Sequence, residues 1–410
     1  MIDCAATAWV LVSSAMVMLM TPGVALFYGG MVRRKNFLST MMMSFAALGL
    51  IGLLWVLYGY SLSFGPDRAS IIGGLDFVLL AGVGQAPSGV YATTIPHLAF
   101  MVFQGMFAII TVALITGAVV ERIKFSALLV FSVLWMTFVY CPVAHWVWGD
   151  GGWLARLGAL DFAGGTVVHI AAGVSALALA SLLGPRRGFR EGEPMEPGNI
   201  PMVAIGAGLL WFGWFGFNAG SALTSGGLAA SAFVATNISA ATAAFVWMIL
   251  SWLHQRPSLL GVATGAVAGL VAITPAAGFV SPIMGIPIGA GAAALCYYCM
   301  LFRMKRGIDE SLDVWAVHGM GGTWGALATG IFASVAVNSA GADGLLYGNP
   351  GQLLLQLAGV AAVWVFALTV TWVLGKLVDL AMGLRVSVVE ETVGLDISQH
   401  GERAYGGMLK

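Results

Sequence analysis

Along the chain, apolar runs of about twenty residues alternate with short polar breaks. Eleven such runs lie near 9–32, 37–60, 97–119, 126–143, 164–183, 201–220, 228–252, 259–279, 283–302, 313–335 and 351–384. A helix of that length covers the roughly 30 Å of hydrocarbon in a bilayer. The pattern therefore predicts an all-α polytopic membrane protein of eleven transmembrane helices. Gly and Pro recur inside the runs, which membrane helices tolerate because neighbouring helices re-satisfy freed backbone groups. Small residues also let helices approach closely. The last run is long enough, about 51 Å as a helix, to require tilt or projection into the cytoplasm.

Composition supports that solvent. The chain is 59% hydrophobic and 9% charged, against roughly a quarter charged in soluble domains. Its 18 basic and 18 acidic residues cancel, so no polyanion or nucleic-acid partner is indicated. The distribution of Lys and Arg gives an orientation. With Arg33, Arg34 and Lys35 inside, only Arg68 and Arg156 of the 18 basic residues face out, as the positive-inside rule expects. This predicts N-out/C-in, which an odd number of spans satisfies, in the cell inner (plasma) membrane. The opening "MIDCAATAWV" lacks the basic region of a cleavable signal.

Two histidines stand in apolar surroundings. "VHIAAG" at 168–173 reappears as "VHGMGG" at 317–322, the first in the fifth run and the second in the tenth. Residues 1–190 and 201–335 thus read as two five-helix halves, inverted because five is odd, with 351–384 outside the repeat. "ALFYGGMV" against "GFNAGSAL", and Asp161 against Asp313, extend the match. Inverted repeats are typical of transporters, with the substrate path at their interface near the midplane. A lone intramembrane histidine can simply bond a neighbouring helix. A symmetric pair, His169 and His318, is instead expected to meet on the pseudo-axis. There it would form a proton relay or a polar stripe in an apolar pore.

Five stretches, "GGTVVHIAAG", "DVWAVHGMGG", "WFGWFGFNAGSA", "TPGVALFYGGMVRRKN" and "GLDISQHGERAYG", resemble those of the ammonium transporters of the Amt/Mep/Rh group. The resemblance spans essentially the whole chain, and its pattern is that of a bacterial-type Amt. It implies a homotrimer of eleven-helix protomers, each with its own pore, an outer aromatic ammonium site, a gate of stacked Phe rings and twin pore histidines. On that pattern His169 and His318 match the twin histidines, and Asp161 the buried aspartate near the outer site. Trp148 is similar to the recruiting tryptophan, with Phe103 and Phe107 on one helix face beside it and Ser221 as the accepting hydroxyl. Phe107 and Phe217 resemble the gate rings, and Trp214 a further pore-lining aromatic. Asp313, at a helix start, is read as a pseudo-symmetric structural partner or N-cap.

Physical magnitudes agree with such a path. The face of an aromatic ring attracts a cation by about 0.5–2 kcal/mol. Moving a bare monovalent ion into low dielectric costs an idealised 20 kcal/mol or so, whereas a neutral amine-sized molecule loses about a few kcal/mol of hydrogen bonding. The expected sequence is ammonium binding outside, deprotonation near the Phe pair, and passage of ammonia along the histidines; a proton relay through the pair would make transport electrogenic.

After Arg385 the chain turns polar. The tail 385–410 is too charged to cross the bilayer, and the resemblance implies a folded cytoplasmic segment that packs on a neighbouring protomer and helps a PII-type signalling protein bind. Its "VSVVE" lead-in departs from the simplest pattern. Cys296 and Cys299 at helix spacing read as packing residues, and no metal or cofactor site is expected. His97, His145, His254 and His400 receive no role. An enzyme using the histidine pair lacks an accompanying nucleophile or metal set. The alternative function is an ammonium sensor coupled to a cytoplasmic signalling partner.

Overall fold

The computed structural model describes residues 1–254 and 256–405, so the last five residues of the 385–410 tail lie outside the described residues. The fold is all-α and membrane-spanning in character. Among the described residues nine helices are long and apolar enough to cross a membrane: Cys4–Met31, Arg34–Phe64, His97–Thr116, Phe125–Leu157, Gly165–Leu183, Ile200–Gly220, Gly227–His254, Pro282–Lys305 and Pro350–Met382. A shorter apolar helix, Leu259–Ile273, and the consecutive segments Trp315–Met320 and Gly321–Phe332 lie where the remaining two runs were expected. The Leu259–Ile273 helix stops before the end of its run because Pro275 lacks the N–H needed to continue it. Two small antiparallel pairs, Asp67–Arg68 with Ile72–Gly73 and Pro87–Ser88 with Ala92–Pro96, occupy the loop before the His97–Thr116 helix.

Large apolar side chains such as Leu53, Ile205, Phe245, Val365 and Leu380 are exposed. That is the surface a lipid solvent requires rather than a defect. Lipid tails are as apolar as Leu, so helix association here depends on close packing and interhelical hydrogen bonds. Trp135 Nε1 donates to Ser175 Oγ at 2.9 Å, and the Ser175 and Thr371 hydroxyls lie 2.7 Å apart, tying the long Pro350–Met382 helix to the His169 helix.

Glycines set the closest contacts. Cys4–Met31 runs along Ile200–Gly220, and each contact recurs with the two helices exchanged. Gly23 lies on Gly206 and Leu210, while Gly213 lies on Met16 and Met20; Gly30 lies on Val203, while Gly220 lies on Ser13. The histidine-bearing helices repeat the pattern. Gly173 abuts Gly319 and the backbone of His318, and Gly322 abuts His169 and Ile170.

A Cβ at Gly173 would collide with the Gly319 backbone, which cannot rotate away as a side chain would. Gly173→Val is therefore expected to destabilise the protein by about 1–3 kcal/mol or more, read as a lowered melting midpoint in detergent. Gly49→Ala, at a position with open space around it, should leave the midpoint unchanged or slightly raised.

Candidate functional site

The two histidine helices begin alike. Gly165–Ile170 and Trp315–Met320 are single π-helical turns, each followed by regular α-helix; such turns concentrate at functional sites. At the first, Asp161 accepts hydrogen bonds from the backbone N–H groups of Gly164 (2.8 Å), Gly165 (2.7 Å) and Thr166 (2.7 Å), and from the Thr166 hydroxyl. Its carboxylate is thus committed to the helix start, where negative charge is also favoured by the helix dipole. Gly164 takes φ +115, and a Cβ there would strike Val168 and approach the Trp148 ring. Glycine at this position lets the capping turn and the tryptophan share one space.

Trp148, the last residue of a helical turn begun at Cys141, donates its indole N–H to the Asp161 carbonyl at 2.9 Å. This fixes the ring over an outer cavity of about 290 Å³, whose wall also includes Phe107, Gln104, Phe100, Tyr91 and Ser221. Ser221 Oγ donates to the Phe217 carbonyl at 2.8 Å, so its lone pairs are what remain for a ligand. Phe103 does not reach the cavity wall; it packs behind Phe107 with ring centroids 4.9 Å apart. Asp161 likewise contributes its carbonyl, through Trp148, rather than an open carboxylate.

Phe107 and Phe217 stack at 4.2 Å with 29° between their planes, closing the inner side of the cavity. Beyond them lies a slot of about 10 Å³ whose wall includes Val24, Ile110, Leu114, Trp214, His169 and His318. That is room for about one water-sized probe, so a hydrated cation cannot occupy it. Trp214 and Phe217 flank the His169 ring at 5.4 and 5.9 Å between centroids.

The hydrogen bonds across the slot fix the proton positions. Thr274 Oγ1 donates to the Leu270 carbonyl (2.8 Å) and accepts from Trp214 Nε1 (2.9 Å). Its hydroxyl proton is therefore in use, and His169 Nε2, 3.3 Å away, must be the donor to it. In the neutral ring His169 Nδ1 is then an acceptor. It lies 3.3 Å from His318 Nδ1, which supplies the proton between them and leaves His318 Nε2 as a free base. Below His318 an inner cavity of about 260 Å³ opens, walled in part by Phe27, Tyr28 and Asp313.

The family model described as Ammonium Transporter Family matches residues 8–405. The chain belongs to the ammonium transporter family. It is similar to Ammonium transporter Amt1 of Archaeoglobus fulgidus, at 55% identity over 97% of this chain and 98% of that protein. Among solved structures it is similar to Mep2 of Candida albicans, with a TM-score of 0.90 and 38% identity over 98% of this chain and 90% of that one. It also resembles a protein titled Sensor Amt Protein, with a TM-score of 0.88 and 29% identity over 97% of this chain and 98% of that one. The ammonium transporter is accordingly a multi-pass membrane protein that carries ammonium or ammonia, and not an enzyme.

At the start of the His318 helix the residue equivalent to Asp161 is not the Asp313 expected from the repeat. Glu310 Oε2 accepts from Trp315 N at 3.1 Å, just as Asp161 accepts from Thr166 N at the start of the His169 helix. Asp313 instead pairs with Arg303 at 2.7 Å, its φ of +59 turning the chain beside the inner cavity. Burial pushes the Glu310 carboxyl up to about 7 despite nearby Arg303. Around it the loops are locked by buried charge. Arg122 donates to the carbonyls of Gly184 and Asp309 and to Ser311, Arg186 pairs with Asp309 at 2.8 Å, and Arg33 pairs with Glu121. Burial alone would raise the Asp309 carboxyl, but Arg186 more than offsets it and holds the group below its ordinary value.

The tail is ordered against this face. A Ser387–Glu390 capping box starts Val388–Val393, and Leu395–His400 follows. Glu391 is buried and receives Arg385 and the Arg187 N–H, Lys35 Nζ donates to the Glu391 and Thr392 carbonyls, and Asp396 accepts from Ser39 N. The tail thus meets the first loop through Lys35 and Ser39 and the loop after the His169 helix through Arg187. The "VSVVE" lead-in is the capping box itself, a Ser-x-x-Glu signal legible in the sequence.

Because Glu310 is harder to ionise in the folded chain than in the unfolded one, the folded state loses stability as pH rises from about 4.5 to about 7. Glu310→Gln is therefore expected to gain stability over the parent as pH rises through that window, by up to about 3 kcal/mol. Melting midpoints at pH 5 and pH 8 check this; an equal difference at both would contradict it.

Proposed function

We propose that the transporter recruits ammonium into the outer cavity, strips its proton at the Phe107–Phe217 stack, and passes ammonia along Trp214, His169 and His318 to the inner cavity. The observation that carries this reading is the slot between the two cavities, which is too small for a hydrated ion and walled mainly by apolar side chains around the two imidazoles. A bare cation there meets the full idealised cost of about 20 kcal/mol, whereas ammonia forgoes only a few hydrogen bonds. Trp148 and Phe107 supply ring faces and Ser221 an acceptor oxygen, while Phe103 backs the ring and Asp161 holds Trp148 in place.

Ammonium that loses a proton outside and regains one inside leaves a proton to be accounted for. The Nδ1–Nδ1 contact between His169 and His318, at 3.3 Å, supports a relay, because two ring nitrogens that face each other can share one proton. On this reading net transport is electrogenic. Potassium is excluded by having no proton to give up.

The exchanged glycine contacts support two inverted five-helix units, 1–190 and 201–335, within an eleven-span, N-out/C-in protomer that continues through the 351–384 helix into the 385–410 tail. Family membership supports a homotrimer. The tail docked on the first cytoplasmic loop supports a surface for a PII-type signalling protein beside the inner cavity.

The decisive experiment is charge movement in proteoliposomes pulsed with ammonium or potassium chloride. The expected result is a sustained current with ammonium alone, lost in His169→Ala. A current of zero charge per substrate overturns the relay, and a pH-change assay inside the same vesicles then separates electroneutral ammonia flux from binding without transport, as in a sensor. Trp148→Leu is expected to raise the half-saturating ammonium concentration about 2- to 30-fold, the range of one cation–ring contact.

A further inference from the structure

Beneath the turn that follows Trp148 a buried histidine meets an aspartate, outside the conduction path. His145 stands three residues before Trp148 in the Cys141–Trp148 segment and is buried. Its Nδ1 lies 3.0 Å from the Ser63 carbonyl and its Nε2 2.9 Å from Asp67 Oδ1. A carbonyl and a carboxylate only accept, whereas a neutral imidazole has a single donor. The pair must therefore hold one proton more than a neutral ring beside an ionised carboxylate. Asp67 Oδ1 also accepts from Ser70 N at 2.8 Å, and Arg156 lies 3.8 Å from Oδ2. Both favour the carboxylate, so the proton sits on the ring. In turn the His145 N–H holds the Asp67 carboxyl below its ordinary value. The other ionisable groups close by are Asp150 and Tyr91, whose hydroxyl accepts from Asp150 N at 3.0 Å.

The stretch "WGDGG" at 148–152 folds directly over the two side chains. A Cβ at Gly149 would strike the His145 ring, and one at Gly151, where φ is +92, would strike Asp67. Asp67 arrives from the loop before the His97–Thr116 helix, and Trp153 N and Arg156 add bonds to Ser70 of that same loop. Trp148 is thus fixed at two points, its indole N–H on the Asp161 carbonyl and its backbone over the His145–Asp67 pair. We propose that His145 is a positioning residue for the outer site, and that the proton it holds against Asp67 keeps Trp148 placed for an incoming ion. The inference rests on the reading of the outer cavity as the ammonium site. Withdrawing the proton sets a bare ring nitrogen against either the Ser63 carbonyl or the Asp67 carboxylate. Two acceptors that face each other repel, and neither finds a donor in so closed a place. The turn then loosens and the Trp148 ring face retreats. Affinity is accordingly present while the proton is bound and falls as rising pH removes it.

The test measures the half-saturating concentration of the ammonium current in proteoliposomes at pH 6 and pH 8, counting only the ionised form, for the full-length protein and for Asp67→Asn. The Asn amide can donate to a neutral His145, so both ring contacts persist without the extra proton while the Ser70 N–H turns to solvent. In the parent the half-saturating concentration is expected to rise about 2- to 10-fold between the two pH values, the range of one hydrogen bond. In Asp67→Asn it is expected to stay within about twofold across the same range. A packing role would shift both pH values alike and leave the slope intact. A parent half-saturation indifferent to pH, or a slope that survives in Asp67→Asn, overturns the proposal. If that variant fails to insert, a slope that survives in His145→Leu does so. A parent current that does not saturate, or whose half-saturation ignores Trp148→Leu, removes the outer site and its positioning pair together. A saturating, Trp148-dependent current whose pH response ignores Asp67 removes the pair alone.

Discussion

Everything between the two cavities depends on how closely two helix backbones approach. Gly173 against Gly319 and Gly322 against His169 bring the two central helices together without intervening side chains. That separation decides that His169 and His318 meet nitrogen to nitrogen rather than reaching separate neighbours. It also decides the width of the slot, because the same crossing sets the distance between Val168, Trp214 and the facing first helix. In a bilayer no hydrophobic force pushes helices together. The seam is held instead by shape and by a few shared hydrogen bonds, of which the Trp135–Ser175–Thr371 set is the clearest.

Polarity is layered around that seam. On one side of it lie a tryptophan, stacked phenylalanines and the Ser221 hydroxyl, groups whose ring faces and lone pairs suit a cation without a carboxylate's full charge. In the middle are imidazoles in an apolar sleeve. Beside the inner cavity, buried Arg and Asp pairs take the place of solvent. Breaking a buried pair by removing one partner is strongly destabilising, since it strands a charge. This charged cluster is therefore better understood as fixing loop geometry than as adding stability. The two helix-start carboxyls mark the asymmetry of the layers. Asp161 is satisfied by four donors, whereas Glu310 has one oxygen on Trp315 and the other without a partner.

Much of this was legible in the sequence, for identifiable reasons. Apolar runs report the solvent directly, so the helices fall where the runs do. The matched histidines mark the axis because a polar group in lipid is costly enough to be placed only where it is used. What escaped was anything that depends on which side of a helix faces what. Phe103 and Phe107 share a face, yet only Phe107 reaches the cavity, because Gly220 lets Phe103 settle behind it. Spacing before the histidine could have selected Glu310 over Asp313, since Glu310 stands as far ahead of His318 as Asp161 does of His169.

The docked tail bears on how the protein can be read from inside the cell. Glu391 is held by Arg187, which follows shortly after the end of the His169 helix, and by Arg385, which follows the last long helix. Lifting the tail would part the Glu391 carboxylate from the Arg187 N–H and the Arg187 guanidinium from Thr392, so the tail and the end of the His169 helix stabilise the same arrangement. Linked equilibria are reciprocal. To the extent that occupancy of the pore shifts the His169 helix, it shifts by the same free energy the readiness of the tail to be released. Any protein that captures the free tail would then report pore occupancy without ever touching the permeating molecule.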